Sequence, residues 1–163
     1  MFDPDAPPGG MVALVVDGYG PVGRLVCARL GAEGMSIAVV GGSAHRASLF
    51  CKELAARYVR ALPYLVDSAE ESSVEQLVAD VTGDLGRIDA LIDLAPDRST
   101  PHTLLDTAER SLRARGRSGR VLLLAAGDCV SGEHISATVL MLLAPQSHGL
   151  TGRVLESKQT AGS

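Results

Sequence analysis

Apolar and polar residues follow one another along the chain in a pattern that predicts strands and helices in regular succession. Residues 11–16 form an apolar run rich in β-branched side chains, as expected for a strand buried on both faces of a parallel sheet. Apolar positions at helical spacing follow over residues 21–33, and Gly34 closes this helix. The same succession continues along the chain. The further predicted strands are 36–40, 59–66, 87–94, 121–126 and 152–156, and the further predicted helices are 44–58, 70–85, 101–115 and 135–144.

This succession predicts a single α/β domain with a parallel sheet and helices on both faces. Right-handed crossovers give the first five strands the order 3-2-1-4-5, and we expect the last strand beside the fifth, which is a Rossmann-like fold. The domain is predicted to span residues 11–157. A loose arm is expected at residues 1–10, which contain three prolines and two glycines, and a polar tail at residues 158–163.

Three glycines separate the first strand from the first helix: Gly18, Gly20 and Gly23, with the spacing G-x-G-x-x-G. In dinucleotide-binding units the first glycine makes the turn, the second lets the backbone approach a pyrophosphate, and the third lets the helix pack on the strand. Pro21, however, has no N–H to offer a phosphate, and Asp17 adds a carboxylate near the expected position of a diphosphate. Two interpretations therefore stay open: a nucleotide site, or glycines that serve only the packing of helix on strand.

Composition and charge narrow the function classes. The chain has 163 residues, 46% of them apolar, which indicates a globular domain with a real core. A net charge of −4 without a basic tract argues against a nucleic-acid partner. No apolar run reaches the length of a membrane span, and the acidic start is unlike a signal peptide, so we expect a cytoplasmic protein. Arginine outnumbers lysine 13 to 2, which favours a GC-rich bacterial genome.

The three cysteines, Cys27, Cys51 and Cys129, form no C-x-x-C pair, and the four histidines do not cluster with them. We therefore expect reduced thiols and no metal site.

Several stretches, taken in order, resemble the short-chain dehydrogenase/reductase family. They are Val22-Gly23-Arg24 after the glycine turn, Ala38-Val39-Val40-Gly41, Leu65-Val66-Asp67, Gly86-Arg87-Ile88-Asp89-Ala90-Leu91-Ile92 and Gly149-Leu150-Thr151-Gly152-Arg153-Val154-Leu155. The resemblance implies that NAD or NADP is held by Gly18, Gly20, Gly23, Asp67 and Ala95, with Asp67 beside the adenine.

The sequence does not choose between NAD and NADP. Gly42 stands where a carboxylate would select NAD and an arginine would favour NADP. His45 or Arg46 could reach a 2′-phosphate, or could simply be solvated residues at the start of a helix.

The departures from the family fall on its chemistry. The glycine turn is one residue shorter than the family's, Asp93-Leu94-Ala95-Pro96 replaces its Asn-Asn-Ala-Gly, and its catalytic serine falls on Ala125 or Ala126. Its Tyr-x-x-x-Lys pair is absent, because four residues after the tyrosines lie a glycine, a leucine and a serine (Gly23, Leu62 and Ser68). The family's long helix and further strand after the fifth strand are also missing. That helix normally contributes to the family's dimer interface, so we expect the interface to be lost or rebuilt.

Other polar residues could form a different site at the carboxyl edge of the sheet. Asp93 ends the fourth predicted strand, and Asp128, Glu133 and His134 are predicted in the loop after the fifth. Together with His102 they could supply acid and base groups, or they could be ordinary polar residues of loops.

Three functions follow as hypotheses. The first is a trimmed, non-redox family member: a pseudo-enzyme or partner subunit that binds another subunit or a nucleotide without reducing anything. The second is a repurposed enzyme that carries out a cyclisation or isomerisation on a bacterial metabolite. The third is an NAD(P)-dependent oxidoreductase completed by another chain. Exposed apolar surface left by the missing helix favours a homo-oligomer, or a hetero-oligomer with a complete family member.

Overall fold

The computed structural model describes residues 10–66, 70–94, 103–114, 122–125, 131–143 and 152–154. Strands and helices alternate throughout these ranges, as the pattern of apolar residues predicts. The elements are β1 (Val12–Val16), α1 (Pro21–Ala32), β2 (Ser36–Gly41), α2 (Ala44–Ala55), β3 (Ala61–Leu65), α3 (Glu71–Leu85), β4 (Ala90–Asp93), α4 (Thr103–Ala114), β5 (Leu122–Ala125), α5 (Gly132–Leu143) and β6 (Gly152–Val154).

The strands form one parallel sheet in the order β3-β2-β1-β4-β5-β6. The predicted order and the predicted place of the last strand are both confirmed. Pro63, which interrupts the pattern of the third strand, is accommodated because β3 pairs only with β2 in the described sheet. An edge strand tolerates a residue that cannot donate to a neighbouring strand.

Alternate residues of the strands face opposite sides of the sheet and build two apolar layers. Ala13 and Val15 of β1 join a cluster with α1, α2 and α5, whereas Leu14 and Val16 join a cluster with α3 and with Ala108 of α4. The sheet is therefore covered on both faces, which explains why the central strand β1 is apolar at every position.

Glycines end two of the helices as expected. Gly34 after α1 and Gly86 after α3 have φ values of 96° and 91°, a left-handed conformation that suits glycine. The amide of Gly86 donates to the carbonyl of Thr82 and so satisfies an end of α3.

Several predicted boundaries are wrong. The second helix ends at Ala55 rather than at residue 58, and the third strand begins at Ala61 rather than at residue 59. The fourth strand begins at Ala90 rather than at residue 87, because Asp89 is used as a side-chain acceptor for the amide of Val12, at 2.9 Å. The last helix begins at Gly132 rather than at residue 135, because the hydroxyl of Ser131 accepts a hydrogen bond from the amide of His134 at 3.1 Å. Ser131 thus caps the helix three residues before the amide that it binds, and the helix begins at the next residue, Gly132.

Cys27 and Cys51 are buried free thiols, in agreement with the prediction, while Cys129 lies outside the described residues. Burial raises the pKa of both thiols, that of Cys51 to about 11.

Candidate functional site

The carboxyl ends of the parallel strands meet at one edge of the sheet, and the order of the strands reverses there between β1 and β4. Open α/β sheets bind ligands at such a reversal. The register places Asp93, the last residue of β4, between Val16 of β1 and Ala125 of β5. The glycine turn follows Val16 directly, so the turn and Asp93 are the two features that define this edge.

The turn is tied to the neighbouring strand by its backbone. The amides of Asp17 and Gly18 both donate to the carbonyl of Val40 in β2, at 2.8 and 3.3 Å. The amide of Gly20 donates back to the carbonyl of Asp17 at 3.1 Å. Asp17 itself has a φ of 67°, a left-handed conformation that aspartate and asparagine adopt more readily than most residues.

Gly23 is required by the close approach of α1 to this turn. A Cβ at Gly23 would overlap the carbonyl oxygen of Asp17 and would lie 2.7 Å from the Cα of Gly18. Both neighbours are backbone atoms, so neither can move away as a side chain could. The expectation that the third glycine lets the helix pack on the strand therefore has a direct geometric basis.

Tyr19 fills the corner between the turn, the end of β2 and the start of α2. Its side chain is buried, with 8% of the residue exposed, and its ring lies against Gly41, where a Cβ would come within 2.5 Å of two ring carbons. Its hydroxyl accepts a hydrogen bond from the amide of Ser43 at 2.9 Å. The guanidinium of Arg46 lies over the ring, 4.6 Å from its centroid, at cation–π distance.

Asp17 points its carboxylate at the face of Gly20, where a Cβ would lie 2.7 Å from a carboxylate oxygen. Burial raises the pKa of Asp17, and the nearby positive charge of Arg46 offsets part of this effect. The carboxylate is therefore a partly desolvated acceptor at the glycine turn.

The amino end of α1 follows the turn without a side-chain cap. Gly20 is the N-cap residue, no side chain bonds to the first turn, and Pro21 occupies the first helical position. The first amides of a helix have no partner within the helix and can bind an anion, but the proline removes one of these donors. This loss agrees with the sequence prediction.

The residue at the end of β2 does not supply the side chain that usually binds the adenosine ribose of a dinucleotide. In this fold the ribose lies at the end of β2, where a side chain about 20 residues after the glycines bonds to its 2′-hydroxyl. The residue at that place, Gly42, is exposed and has no side chain, and the Tyr19 ring occupies the adjoining corner.

The candidate catalytic residues are not joined into one group. Glu133 and His134 were predicted in a loop, but this prediction is wrong: both lie in the first turn of α5, where they are exposed. Asp93 is half-buried at the end of β4. Asp128, Asp67, Ala95 and His102 lie outside the described residues.

The position of Tyr19 in the site was not predicted from the sequence, where this tyrosine matters only as a possible member of a Tyr-x-x-x-Lys pair. Arg46 was expected to bind a 2′-phosphate or to be solvated, and not to lie over the Tyr19 ring. The available signal was an aromatic residue between two glycines of a turn that otherwise contains small residues.

The profile of the family described as short chain dehydrogenase matches residues 11–110, which is more than half of the chain. The chain belongs to the short chain dehydrogenase family. A short chain dehydrogenase of Pseudocercospora fijiensis is 30% identical over 86 residues, or 53% of this chain and 28% of the relative. The BbsC subunit of (2S)-[(R)-hydroxy(phenyl)methyl]succinyl-CoA dehydrogenase of Thauera aromatica is 31% identical over 83 residues, or 51% of this chain and 33% of the relative.

Solved structures of the same family share the fold. A hydroxysteroid dehydrogenase of Escherichia coli superposes with a TM-score of 0.73 at 12% identity, over 96% of this chain and 97% of that one. A short chain dehydrogenase of Mycobacterium smegmatis superposes with a TM-score of 0.75 at 16% identity, over 98% of this chain and 100% of that one. The matches to the two curated relatives span about a third of their length or less.

The described residues contain no group of three or more histidine, cysteine, aspartate or glutamate residues that could hold a metal ion. Within the same ranges, no helix combines the length and the apolar character needed to cross a membrane.

Proposed function

We propose that this chain is a non-redox member of the short chain dehydrogenase family that works as a partner subunit. One observation carries the proposal: within the 163 residues no tyrosine stands four positions before a lysine. A phenol and an ammonium group one helical turn apart let the lysine lower the pKa of the tyrosine, which then transfers the proton that accompanies the hydride. Without the pair, this chain has no proton donor of that kind.

The positions of the three tyrosines support this reading. Tyr19 is enclosed in the glycine turn, and Tyr58 follows α2 and is 98% exposed. Tyr64 lies in the edge strand β3, where its hydroxyl donates to a carboxylate oxygen of Asp84 at 2.8 Å. None of them belongs to β4, which ends at Asp93, or to β5, which pairs with β4.

The short connection after β5 supports it as well. Only residues 126–131 separate β5 from α5. The resemblance to the family implies a long helix and a further strand in this interval, and the helix carries the tyrosine and lysine. Six residues cannot hold such a helix, so the pair is missing together with the element that would present it.

A subunit role agrees with one of the relatives. The Thauera aromatica relative is named as a subunit of a dehydrogenase. We propose that this chain likewise assembles, either with a second copy of itself or with a complete family member. Exposed apolar side chains on two packed helices, Leu25 of α1 and Met141 of α5, offer contact area for such an assembly.

Sedimentation velocity and a cofactor-oxidation assay on the same preparation test this proposal. We expect the chain to self-associate between about 1 and 50 μM, and to associate with a complete family member from its own genome, since stable interfaces reach affinities in this range. We also expect no oxidation of NADH or NADPH with aldehyde, ketone or 3-ketoacyl thioester probes when the chain is alone. A chain that sediments as a monomer and does not associate with the complete family member would contradict the subunit role. Oxidation of NADH or NADPH by the chain alone would contradict the non-redox role.

Family membership also leaves a role for the nucleotide, since members of this family typically bind NAD or NADP. The three glycines of the turn support residual binding, whereas Asp17, Pro21 and Tyr19 oppose it. We propose that binding to the chain alone is weak. Turnover that depends on a nicotinamide cofactor and that appears only when a complete partner is added would favour the alternative of an oxidoreductase completed by another chain.

The position of Asp93 favours a second candidate, a repurposed enzyme with non-redox chemistry. Its half-buried carboxylate ends β4 at the edge where α/β sheets bind ligands, and a carboxylate there can serve as a general base. In this case Asp93→Asn should abolish the activity while the chain remains folded, and His134→Ala on the exposed turn of α5 should leave the activity intact. An activity that survives Asp93→Asn would remove this candidate.

A further inference from the structure

The corner beside the end of β2 is the part of a Rossmann-like site that receives the ribose of the adenosine half. Side chains at this place normally bond to the 2′-hydroxyl or to a 2′-phosphate. The residue at this place, Gly42, has no side chain, and a Cβ added to it would meet nothing within 4 Å. The neighbouring Gly41, by contrast, is covered by the ring of Tyr19.

Three contacts, from the end of β2 and the start of α2, hold that ring in place. The hydroxyl accepts from the amide of Ser43, the ring packs on Gly41, and the guanidinium of Arg46 stacks on the outer face. A buried aromatic ring with its hydroxyl satisfied is a stable arrangement, since the tyrosine places its apolar body in the protein and its polar tip on a donor. The amide of Ser43 is thereby used by the chain itself.

We infer that Tyr19 is a built-in occupant of the ribose half of this site, and that its ring excludes the adenosine part of a nucleotide. Gly41, Ser43 and Arg46, which lie at the end of β2 and the start of α2, each contact Tyr19. This inference does not rest on the proposed subunit role, because it concerns only the glycine turn and the start of α2.

The carboxylate of Asp17 is a second and separate obstacle. It lies against Gly20, at the turn where this fold places the diphosphate, and its negative charge repels the negative charge of a diphosphate. Tyr19 therefore acts on the ribose by steric exclusion, and Asp17 acts on the diphosphate by charge. The two effects can be separated by mutating each residue alone and both together.

Calorimetric titration with ADP tests the inference, because ADP carries both the ribose and the diphosphate. We expect Tyr19→Ala to tighten the binding of ADP by about tenfold or more relative to the unmutated chain, and Asp17→Asn combined with Tyr19→Ala to tighten it further. Tyr19→Phe keeps the ring and should bind ADP as weakly as the unmutated chain. Tyr58→Ala, at an exposed tyrosine, is the matched control and should change nothing.

The amide of Ser43 shows where the ligand binds. In the Tyr19→Ala variant, addition of ADP should shift the amide resonance of Ser43, whereas in the unmutated chain it should not. Tyr19→Leu keeps part of the apolar contact with Gly41 while removing the hydroxyl and the far part of the ring. It serves as the test if circular dichroism shows that Tyr19→Ala is unfolded, and it should also tighten the binding of ADP.

A folded Tyr19→Ala or Tyr19→Leu variant whose affinity for ADP differs by less than about threefold from that of the unmutated chain would overturn the inference. Tight binding of ADP to the unmutated chain with the same shift of the Ser43 amide would overturn it too.

Discussion

A single glycine decides whether the first helix can approach the turn that precedes it. Gly23 meets backbone atoms of Asp17 and Gly18, whereas Gly83, in α3, is exposed and has nothing within 4 Å of an added Cβ. The two residues are therefore a matched pair: the same substitution adds the same methyl group to a crowded helix and to an open one.

We expect Gly23→Ala to destabilise the fold by roughly 1–3 kcal/mol, the range for overpacking of a filled interior. Gly83→Ala should instead raise the free energy of unfolding by up to about 1 kcal/mol, because alanine loses less backbone entropy in a helix. Urea unfolding followed by circular dichroism measures both. Equal effects of the two substitutions would contradict the close packing of α1 on the turn.

Asp17 makes a prediction about pH. Burial raises its pKa, so the folded chain holds this proton to a higher pH than the unfolded chain does. Its contribution to stability is therefore present below about pH 3.8, the ordinary pKa of the group, and is lost as the pH rises through the raised value. Asp17→Asn removes the charge and keeps a residue that tolerates a positive φ.

We expect Asp17→Asn to be more stable than the unmutated chain at pH 7, and the difference to shrink as the pH falls toward 4. Thermal unfolding across this range measures it, with Asp80→Asn at an exposed carboxylate of α3 as the control. A difference in stability between the two chains that grows on acidification would show that the surroundings stabilise the carboxylate. That result would contradict a raised pKa of Asp17.

At the scale of elements, the start of the sheet depends on one buried carboxylate. Asp89 is 5% exposed; one of its oxygens accepts from the amide of Val12, and the other pairs with Arg87 at 2.6 Å. It thereby joins the loop before β4 to the first residue of β1. Removal of the carboxylate would leave a buried amide without an acceptor.

We expect Asp89→Ala to lower the free energy of unfolding by roughly 2–4 kcal/mol, because an unsatisfied buried amide and a broken ion pair add their costs. Asp89→Asn retains an oxygen for Val12 and should cost less. Denaturant unfolding of both variants, compared with Asp80→Ala, makes the test. Equal stability of Asp89→Ala and the unmutated chain would show that the contact contributes nothing.

The elements also show how far the sequence can be interpreted. The strand order could be predicted because each apolar run has the length and composition of a buried strand and each is followed by a helical pattern. The ends of elements could not, because side-chain bonds set them: Ser131 begins α5 early and Asp89 delays β4. The buried position of Tyr19 could not be predicted, because Gly41 and Ser43 are more than 20 residues away in sequence and contact it only in the folded chain.

At the scale of the whole molecule, the fold is that of the short chain dehydrogenase family, whereas the function proposed here departs from the chemistry of that family. The parallel sheet and the helices on both faces match the short chain dehydrogenases. The edge where those enzymes would bind a dinucleotide instead holds a buried tyrosine and a partly desolvated carboxylate. The same fold can host many functions, so the site rather than the architecture supports a role without hydride transfer.

Calorimetric titration of NADH and NADPH into the unmutated chain is the most direct test of the proposed exclusion of the nucleotide. We expect no saturable heat up to about 1 mM of either cofactor, because the Tyr19 ring and the Asp17 carboxylate both oppose the nucleotide. A dissociation constant in the micromolar range for either cofactor would contradict this exclusion.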